Sequence, residues 1–435
     1  MRENKNRSLT FRNPWAWVPT LYFAEGLPYF AVMTISVIMY KRLGLSNTDI
    51  ALYTSWLYLP WVIKPFWSPF VDILKTKRWW ITTMQILIGA GLSGIAFTLP
   101  TSFYLQATLA FFWLMAFSSA THDIAADGFY MLALDDSQQS FFVGIRSIFY
   151  RLASITGQGF LIILAGHLET STSNIPYAWS ITFFIMTGLF IAFFVYHRFI
   201  LPYPVSDTGK SANTPKDVLK EFLNTFRSFF TKKGVAIALL FILTYRLAEA
   251  MLVRLAYPFL LDSREIGGLG LKTKDAGLTY GTVGVISLIL GGIIGGILAS
   301  RKGLKYWIWP MALAITLPNA AYLILAYFQP ENFLWINVAV AFEQFGYGFG
   351  FTAYMLFMIY FSQGEHKTAH YSICTGFMAL GMMLPGMAAG WIQEQLGYLN
   401  FFIFIMIMII PTLLIIPFLE IDKNFGRAKK GEIVE

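Results

Sequence analysis

The segment Leu-Gly-Leu-Ser-Asn-Thr-Asp at residues 43–49 recurs as Leu-Gly-Leu-Lys-Thr-Lys-Asp at residues 269–275. Each copy opens a long apolar stretch, and the two stretches occupy corresponding places in the two halves of the chain. An element repeated in the same orientation is typical of membrane folds that are built from two related helix bundles. The repeat therefore predicts two halves with the same helical architecture.

Composition indicates a membrane protein. Of the 435 residues, 56% are hydrophobic and 13% are charged, whereas a soluble domain has about 25% charged residues. The apolar residues come in continuous runs of about 20 to 25, which is the length of an α-helix that crosses a hydrocarbon core. Continuous rather than alternating runs exclude a β-barrel. We predict an all-α membrane protein.

The runs predict twelve transmembrane helices in two six-helix bundles. The spans are expected at about 15–40, 48–72, 79–99, 103–134, 139–166, 177–200, 234–260, 275–299, 305–328, 332–363, 367–393 and 398–420. The expected organisation is a cytoplasmic N-terminus (1–14), an N-terminal bundle (15–200), a cytoplasmic central loop (201–233), a C-terminal bundle (234–420) and a cytoplasmic tail (421–435).

The distribution of Lys and Arg predicts that both termini are cytoplasmic. With this orientation, 22 basic residues lie in cytoplasmic segments and 5 in external loops, as the positive-inside rule requires. The net charge of +8 is therefore attributed to anionic lipid rather than to nucleic acid. Cys374 is the one cysteine, so neither an intramolecular disulfide nor a cysteine-based metal cluster is possible. The basic N-terminus and long first apolar run argue against a cleavable signal peptide.

Five carboxylates fall inside predicted spans: Glu25 in span 1, Asp123 and Asp127 in span 4, Glu249 in span 7 and Glu343 in span 10. An ionised group at that depth costs about 2.5 to 3.5 kcal/mol on insertion scales. Asp123 and Asp127 are four residues apart, so they share one helix face. In a six-plus-six architecture these four spans line a central cavity, where such carboxylates suit proton coupling and substrate binding.

Basic residues inside the spans could pair with these acids. Arg246 lies three residues before Glu249 and is expected to face it. Arg146 and Arg151 lie on span 5, and Lys64 on span 2 could reach span 4.

Other charged residues are expected at the membrane surfaces. Asp72, together with Lys64 and Arg78, is expected to form an inner gate. Arg254 is expected to extend to the outer interface with its charged end in water.

Each candidate also has a purely structural interpretation. Asp123 and Asp127 could form an ion pair with Arg151 that only holds helices together. His122 could be a core histidine that donates to a backbone carbonyl, and the group around it lacks a third ligand for a closed metal site. Glu25 precedes Gly-Leu-Pro at residues 26–28, which is expected to break span 1. Glu25 could then simply bind the freed backbone amides.

Two segments resemble the loop signature of the major facilitator superfamily, Gly-x-x-x-Asp-Arg-x-Gly-Arg. They are Ser-Pro-Phe-Val-Asp at residues 68–72, followed by Lys75, Lys77 and Arg78, and Gly-Ile-Leu-Ala-Ser-Arg-Lys-Gly at residues 296–303. The first copy lacks the initial Gly and the second lacks the Asp. Because both occur at corresponding positions of the two halves, they indicate a major facilitator fold.

Further motifs resemble the AmpG muropeptide permeases, a group related to the eukaryotic acetyl-coenzyme A transporter. The motifs are Phe-Ala-Glu-Gly-Leu-Pro at 23–28, Phe-Trp-Ser-Pro at 66–69 with Asp72, Ser-Ala-x-x-Asp-Ile-x-x-Asp at 119–127, Tyr-Arg-Leu at 150–152, Leu-Phe-Ile-Leu-x-Tyr-x-Leu at 240–247, the glycines after Glu343 at 346, 348 and 350, and Gly-Trp-x-x-Glu at 390–394. The resemblance covers about residues 18–400.

The resemblance implies a proton-driven importer of anhydro-muropeptides, which are products of cell-wall turnover. It implies functional roles for Asp123, Asp127, Arg151 and Glu343, which match family positions directly. Arg246 and Glu249 match a Lys and an Asp of the family. This sequence departs from the family at two positions, where His122 replaces the usual Gln and Glu25 replaces a small residue. The central loop also has no room for an extra helix pair.

The sequence thus predicts a proton-coupled secondary transporter of the inner membrane, a monomer that is not an enzyme and needs no cofactor or metal. Primary ATP-driven transport is not expected, because Gly-x-x-x-x-Gly-Lys-Ser/Thr is absent from the sequence. Three alternatives remain. The substrate could be another organic anion or a coenzyme A ester. The protein could be a membrane enzyme in which His122, Asp123 and Asp127 perform acid–base chemistry on a lipid-linked sugar, or it could be a sensor.

Overall fold

The computed structural model describes residues 13–204, 207, 215–364 and 367–427, and these residues form helices and loops with no strand among them. The predicted all-α class is confirmed. By their internal contacts the residues divide into two units. The first unit takes the described residues of 1–39 and 63–222, and the second takes those of 40–62 and 223–435. The segment 40–62 therefore packs with the C-terminal half of the sequence.

The α-helices follow one another along the chain with short connections. They are α1 (Val18–Phe30), α2 (Ser36–Arg42), α3 (Asn47–Trp56), α4 (Leu59–Leu74), α5 (Lys77–Thr98), α6 (Tyr104–Ala133), α7 (Asp136–Ile155), α8 (Leu161–Thr172), α9 (Ile175–Ile200), α10 (Pro215–Phe230), α11 (Val235–Thr244), α12 (Leu247–Leu261), α13 (Thr273–Ala276), α14 (Val285–Lys302), α15 (Leu304–Thr316), α16 (Ala320–Phe328), α17 (Phe333–Ser362), α18 (Lys367–Ile407) and α19 (Ile410–Ile415). Three π-helical segments continue α1, α7 and α13: Ala31–Ile35, Thr156–Phe160 and Gly277–Gly284.

Helix covers each of the twelve predicted spans. Within the described residues, eight helical segments are long and apolar enough to cross a membrane. The helices over predicted spans 2, 4 and 10 are not among these eight, and predicted spans 11 and 12 belong to one segment, Ala369–Phe418. Gly397, with a φ of 72°, interrupts the helix between those two spans. Spans 4 and 10 carry three of the five carboxylates that lie inside predicted spans, which is one reason why they are less apolar.

The sequence repeat corresponds to a repeated turn. Gly44 and Gly270 both adopt positive φ angles, 88° and 68°, a conformation that only glycine adopts without strain. In the first copy Ser46 caps α3, because its hydroxyl accepts from the backbone N–H of Asp49 at 3.0 Å. In the second copy the N-cap residue Lys272 makes no such side-chain bond. The glycine turn, rather than the cap, is what the two halves share.

The expected break in span 1 is wrong. Helix α1 continues through Pro28 to Phe30, and a π-helical segment follows directly. A proline removes one N–H from the ladder, and a π-helical turn lets the helix continue past such an irregularity. Gly26 has a packing role instead, since a Cβ at this position would lie 3.0 Å from the Cβ of Ala153 and 3.2 Å from the ring of Tyr150 on α7.

Glycines allow α14 and α17 to pack in direct backbone contact. A Cβ built on Gly291 would lie 2.1 Å from the carbonyl oxygen of Phe345, and one on Gly348 would lie 2.0 Å from that of Leu288. Small residues allow such close packing in membranes, where van der Waals contact drives helix association. Gly296, also on α14, has open space at its Cβ position.

We expect Gly291→Ala to destabilise the second unit, because the added methyl group must push α14 away from α17. Overpacking of this kind costs about 1–3 kcal/mol. Thermal unfolding in detergent should show a lower midpoint for Gly291→Ala than for the wild type. The matched control is Gly296→Ala on the same helix, which should leave the midpoint unchanged or slightly raise it. Equal midpoints for the two variants would contradict the close packing.

Candidate functional site

Helix α6 presents Asp123 and Asp127 one turn apart, and each meets its own cation. Asp123 forms a salt bridge with Lys64 of α4. Asp127 accepts a hydrogen bond from Arg146 of α7, with 3.0 Å between Oδ1 and Nη1. The two aspartates therefore join α6 to two different helices of the first unit.

Helix α1 contributes a third carboxyl group to this site. The carboxyl groups of Glu25 and Asp123 lie within hydrogen-bonding reach of each other, and two carboxyl groups can share such a bond only when one carries a proton. Tyr22, on the same helix, donates its hydroxyl to Oδ1 of Asp127 at 3.1 Å and accepts from Arg146 at 2.9 Å. We call Tyr22, Glu25, Lys64, Asp123, Asp127 and Arg146 the N-terminal carboxylate cluster.

The charges of this cluster do not balance without a proton. Glu25, Asp123 and Asp127 can carry three negative charges, while Lys64 and Arg146 carry two positive ones. Uncompensated charge is costly away from water. The cluster is neutral when a single proton is bound, and the contact between Glu25 and Asp123 is the place where a proton can be shared.

The alternative ion pair with Arg151 is wrong for Asp127, which pairs with Arg146 instead. Arg151 is half-buried and has no ion-pair partner within 4.0 Å among the described residues. Five residues along an α-helix turn the side-chain direction by about 140° beyond one full turn. Arg146 and Arg151 therefore cannot both face α6. A functional role of Arg151 stays a prediction.

The residues assigned to an inner gate lie in different places. Lys64 belongs to the N-terminal carboxylate cluster. Arg78 is buried, donates to the backbone carbonyls of Arg198 and Leu201 at the end of α9, and stacks 3.9 Å from the ring centre of Tyr203. The side chain of Asp72, on α4, lies outside the described part of the structure. The gating role of these three residues stays a prediction.

His122 is fully buried, and its partner is a side chain rather than the expected backbone carbonyl. Its Nε2 lies 3.1 Å from Nε2 of Gln85, while Nδ1 has no hydrogen-bond partner among the described residues. Gln85 in turn lies 2.8 Å from Nδ1 of His197. Neither Gln85 nor His197 stands out in the sequence, although each is a polar residue inside a predicted span. No arrangement of three His, Cys, Asp or Glu side chains in the described residues could hold a metal ion.

In the second unit, Arg246 and Glu249 act on each other electrostatically, but the described residues show no direct ion pair between them. Helix α11 ends at Thr244 and α12 begins at Leu247, so Arg246 occupies a non-helical turn with φ −107° and ψ 18°. Helical i,i+3 spacing does not apply across such a turn. Both carboxylate oxygens of Glu249 lack a hydrogen-bond partner among the described residues, although the side chain is only 1% exposed.

Arg246 packs on aromatic rings instead. Its guanidinium donates to the hydroxyl of Tyr347 and lies 5.0 Å from the ring centre of Phe351. Its Nε has no hydrogen-bond partner within the described residues. The guanidinium therefore retains a donor for a ligand.

The second carboxyl group of this region is Glu343 on α17, which is also 1% exposed. It accepts from the amide of Gln344 at 3.0 Å, and that amide lies 3.2 Å from the hydroxyl of Tyr280. Glu249 acts electrostatically on Glu343. We call Arg246, Glu249, Tyr280, Glu343, Gln344 and Tyr347 the C-terminal carboxylate cluster. It has two carboxyl groups and one cation.

The expectation that Arg254 extends into water is wrong. Its side chain is 2% exposed and donates to the hydroxyl and the carbonyl of Thr54 at 3.1 and 3.2 Å. Its guanidinium also lies 4.8 Å from the ring centre of Tyr58. Nearby, Lys41 and Asp262 form a salt bridge of 2.6 Å. These contacts attach the segment 40–62 to α12 within the second unit.

The motif at residues 390–394 completes this attachment on α18. A Cβ on Gly390 would lie 2.0 Å from the carbonyl oxygen of Asn47, so only glycine fits there. The Asn47 amide donates to Gln393 at 2.6 Å, and Glu394 accepts from the backbone N–H of Thr48 at 3.1 Å. The family motif thus has a structural explanation.

Comparison with known proteins identifies the family. The family model of the Major Facilitator Superfamily matches residues 20–369. The chain is 25% identical over 409 residues to the anhydromuropeptide permease of Escherichia coli, which covers 91% of this chain and 77% of that protein. It is 25% identical over 419 residues to the AmpG 4 protein of Rickettsia conorii, with 93% and 96% covered.

Solved structures agree on the fold. A D-xylose–proton symporter superposes with a TM-score of 0.71 at 9% identity, covering 94% of this chain and 97% of that chain. A transporter of the POT family superposes with a TM-score of 0.70 at 13% identity, covering 92% and 95%. The resemblance predicted from the motifs is confirmed: this multi-pass membrane protein belongs to the Major Facilitator Superfamily of transporters and is similar to the AmpG-type permeases.

Proposed function

We propose that this transporter imports anhydro-muropeptides across the inner membrane together with protons. The observation that carries the proposal is the similarity to the anhydromuropeptide permease of Escherichia coli over 91% of the chain. The motif residues Asp123, Asp127 and Glu343 support it, since all three lie in the two carboxylate clusters. The positive-inside distribution of Lys and Arg supports cytoplasmic termini, and we propose that the transporter is a monomer.

The N-terminal carboxylate cluster is the proposed proton site. Lys64 and Arg146 neutralise Asp123 and Asp127, so Glu25 is the carboxyl group without a cation of its own. A proton shared between Glu25 and Asp123 neutralises the whole cluster. Its release leaves one net negative charge, which repels the neighbouring carboxylates and favours a different arrangement of the helices. Binding and release of one proton thereby bias the alternating-access equilibrium.

The C-terminal carboxylate cluster is the proposed site for the charged part of the substrate. The guanidinium of Arg246 rests against Phe351 and the hydroxyl of Tyr347, and its Nε is unpaired within the described residues. A guanidinium held in this way binds a carboxylate of a peptide with good geometry. Glu249 and Glu343 exceed the cation by one charge, so arrival of an anionic group at Arg246 favours protonation of one of them.

A second substrate class follows from the departures from the family. His122 and Glu25 change the polar surface around Asp123, and an organic anion or a coenzyme A ester would also suit Arg246. Anhydro-muropeptides and these anions would use the same proton site, so only uptake measurements with each compound can distinguish the two substrate classes.

Uptake by the full chain in proteoliposomes tests the function. With an inward proton gradient we expect labelled anhydro-muropeptide to accumulate above its external concentration, and a protonophore should abolish this accumulation. Unlabelled acetyl-coenzyme A and simple dicarboxylates serve as competitors. Accumulation of labelled acetyl-coenzyme A or of a labelled dicarboxylate, without accumulation of anhydro-muropeptide, would establish the second substrate class. Turnover of a lipid-linked sugar without any uptake would overturn the proposed function and show that the protein is a membrane enzyme.

Removing one carboxyl group tests the proton site. Glu25→Gln leaves two carboxylates against two cations, so the cluster no longer needs a proton. Accumulation driven by the gradient should fall at least about tenfold, which corresponds to 1.4 kcal/mol, while exchange of labelled for unlabelled substrate should persist. Asp127→Asn should likewise lose accumulation. Glu420→Gln, an exposed carboxylate paired with Lys233, is the control. Undiminished accumulation in Glu25→Gln would remove Glu25 from the coupling mechanism.

Arg146→Gln tests the pairing. The variant leaves Asp127 with Tyr22 alone, and the midpoint of thermal unfolding should fall. Since the side chains of this pair are about a third exposed, the loss should lie between that of exposed and buried pairs, about 1–3 kcal/mol. Arg151→Gln, five residues away on the same helix, should lower the midpoint by less. A larger effect of Arg151→Gln would show that the wrong arginine has been assigned.

A further inference from the structure

Three fully buried polar side chains connect four helices of the first unit. Gln85 of α5 lies between His122 of α6 and His197 of α9, with its amide nitrogen 3.1 Å from Nε2 of His122 and 2.8 Å from Nδ1 of His197. The other ring nitrogen of His197 lies 3.0 Å from the hydroxyl of Thr20 on α1. None of the three side chains is exposed to solvent.

The direction of these hydrogen bonds follows from the amide. An amide NH₂ group has two N–H donors and no lone pair to accept with, so Nε2 of Gln85 donates to Nε2 of His122. Nε2 of His122 is then unprotonated, its Nδ1 carries the proton, and this imidazole is neutral. Nδ1 of His197 lies near both the nitrogen and the oxygen of the same amide, at 2.8 and 3.1 Å, so it can accept from the one or donate to the other.

The far end of the network agrees with this direction. Thr20 donates its own hydroxyl proton to the carbonyl of Trp17 at 3.2 Å. Its oxygen is therefore free to accept from Nε2–H of His197. The branch through His197 and Thr20 can therefore run outward from Gln85 and end at the carbonyl of Trp17. An amide rotated by 180° would place its oxygen towards Nε2 of His122 and reverse the direction of that bond, and this is the alternative that has to be tested.

These hydrogen bonds leave one donor of His122 without a partner. Because Nε2 of His122 accepts from Gln85, its Nδ1–H is a buried donor without a partner among the described residues. A buried donor of this kind costs about 1–3 kcal/mol, and such groups call for an explanation in a native structure. The second carboxylate oxygen of Glu25 is also buried and unpaired within the described residues. Both groups belong to neighbours of Asp123.

We propose that Gln85 and His197 are positioning residues that fix His122 as an Nδ1–H donor, and that this donor binds a neutral oxygen acceptor of the substrate, such as a sugar hydroxyl or an amide carbonyl. The identity of the substrate rests on the proposed function, whereas the protonation pattern of His122 does not. In the structure Nδ1–H of His122 has no hydrogen-bond partner among the described residues. An oxygen of the bound substrate would accept a hydrogen bond from it during transport. His122 thus contributes to selectivity rather than to proton binding.

The protonation pattern can be measured without any transport. The chain has five histidines, so ¹⁵N-histidine labelling of the full chain in lipid gives a spectrum simple enough to assign by comparison with His122→Gln. We expect the signals of His122 at neutral pH to show a protonated Nδ1 and an unprotonated Nε2. A protonated Nε2, or an imidazolium, would overturn the proposal.

Gln85→Glu is the sharpest variant for the functional part, because Glu has nearly the same shape but an ionised carboxylate can only accept. It should move the proton of His122 to Nε2 and turn Nδ1 into an acceptor. We expect KM for labelled anhydro-muropeptide to rise about tenfold, the value of roughly one good hydrogen bond, with a smaller change in the maximal rate. A role limited to helix packing would leave KM unchanged, and that result would overturn the proposal.

The double variant separates positioning from a direct effect of the new charge. In a His122→Gln background, Gln85→Glu should have little further effect on KM, because a positioning residue acts only through the residue it positions. An equal tenfold effect in both backgrounds would contradict the assignment.

The two kinds of readout keep the proposals apart. If the NMR pattern is found but anhydro-muropeptide is not transported, the proposed function fails and the positioning of His122 stands. If anhydro-muropeptide uptake is found but the NMR pattern is not, the proposed function stands and the positioning of His122 fails.

Discussion

Charge inside an apolar helix bundle must be met by opposite charge or by a proton, and this constraint organises both units. In the first unit each aspartate of α6 has its own cation on a neighbouring helix, Lys64 for Asp123 and Arg146 for Asp127. Glu25 has no cation of its own, and in the proposed proton site it shares a proton with Asp123. In the second unit the C-terminal carboxylate cluster holds two carboxyl groups, Glu249 and Glu343, and one cation, Arg246. Each cluster therefore holds one carboxyl group more than its cations neutralise.

The sequence was sufficient to locate the carboxylates but not to choose their partners. A charge within an apolar run is visible from composition alone, and the family resemblance marked most of the same positions. Which cation meets which acid depends on the rotation of each helix, which two neighbouring candidates on one helix do not reveal. The side chains of Arg146 and Arg151 point about 140° apart around α7, so only one of them could be the partner of an aspartate on α6. The contact between Gln85 and His197 could not be predicted for a related reason. Each is a single polar residue in its own span, and only the packing of the helices brings the two side chains together.

The helix breaks show the same limit. Pro28 predicted a break in span 1, but the helix absorbs it with a π-helical segment. Span 7 breaks at Tyr245–Arg246, where there is neither proline nor glycine. The carbonyls freed at the end of α11 are satisfied from other helices, since Tyr354 donates to Ile242 at 2.7 Å and Thr412 to Thr244 at 2.9 Å. A helix can open in an apolar environment only where such donors exist. Because the donors lie more than 100 residues away, no local pattern reveals the break.

The departure from the family at position 122 has a physical meaning in this network. The glutamine that the family resemblance implies there has both a donor and an acceptor, and it can present either to a ligand by rotating its amide. In the proposed arrangement, a histidine whose Nε2 accepts from Gln85 can present only one atom, and that atom is a donor. The exchange would then replace an adaptable contact by a fixed one. Sites built around a committed hydrogen-bonding group reject analogues that lack the matching atom far more strongly than apolar pockets do. A transporter with His122 should for this reason discriminate more sharply than its relatives among substrates that differ by a single oxygen acceptor.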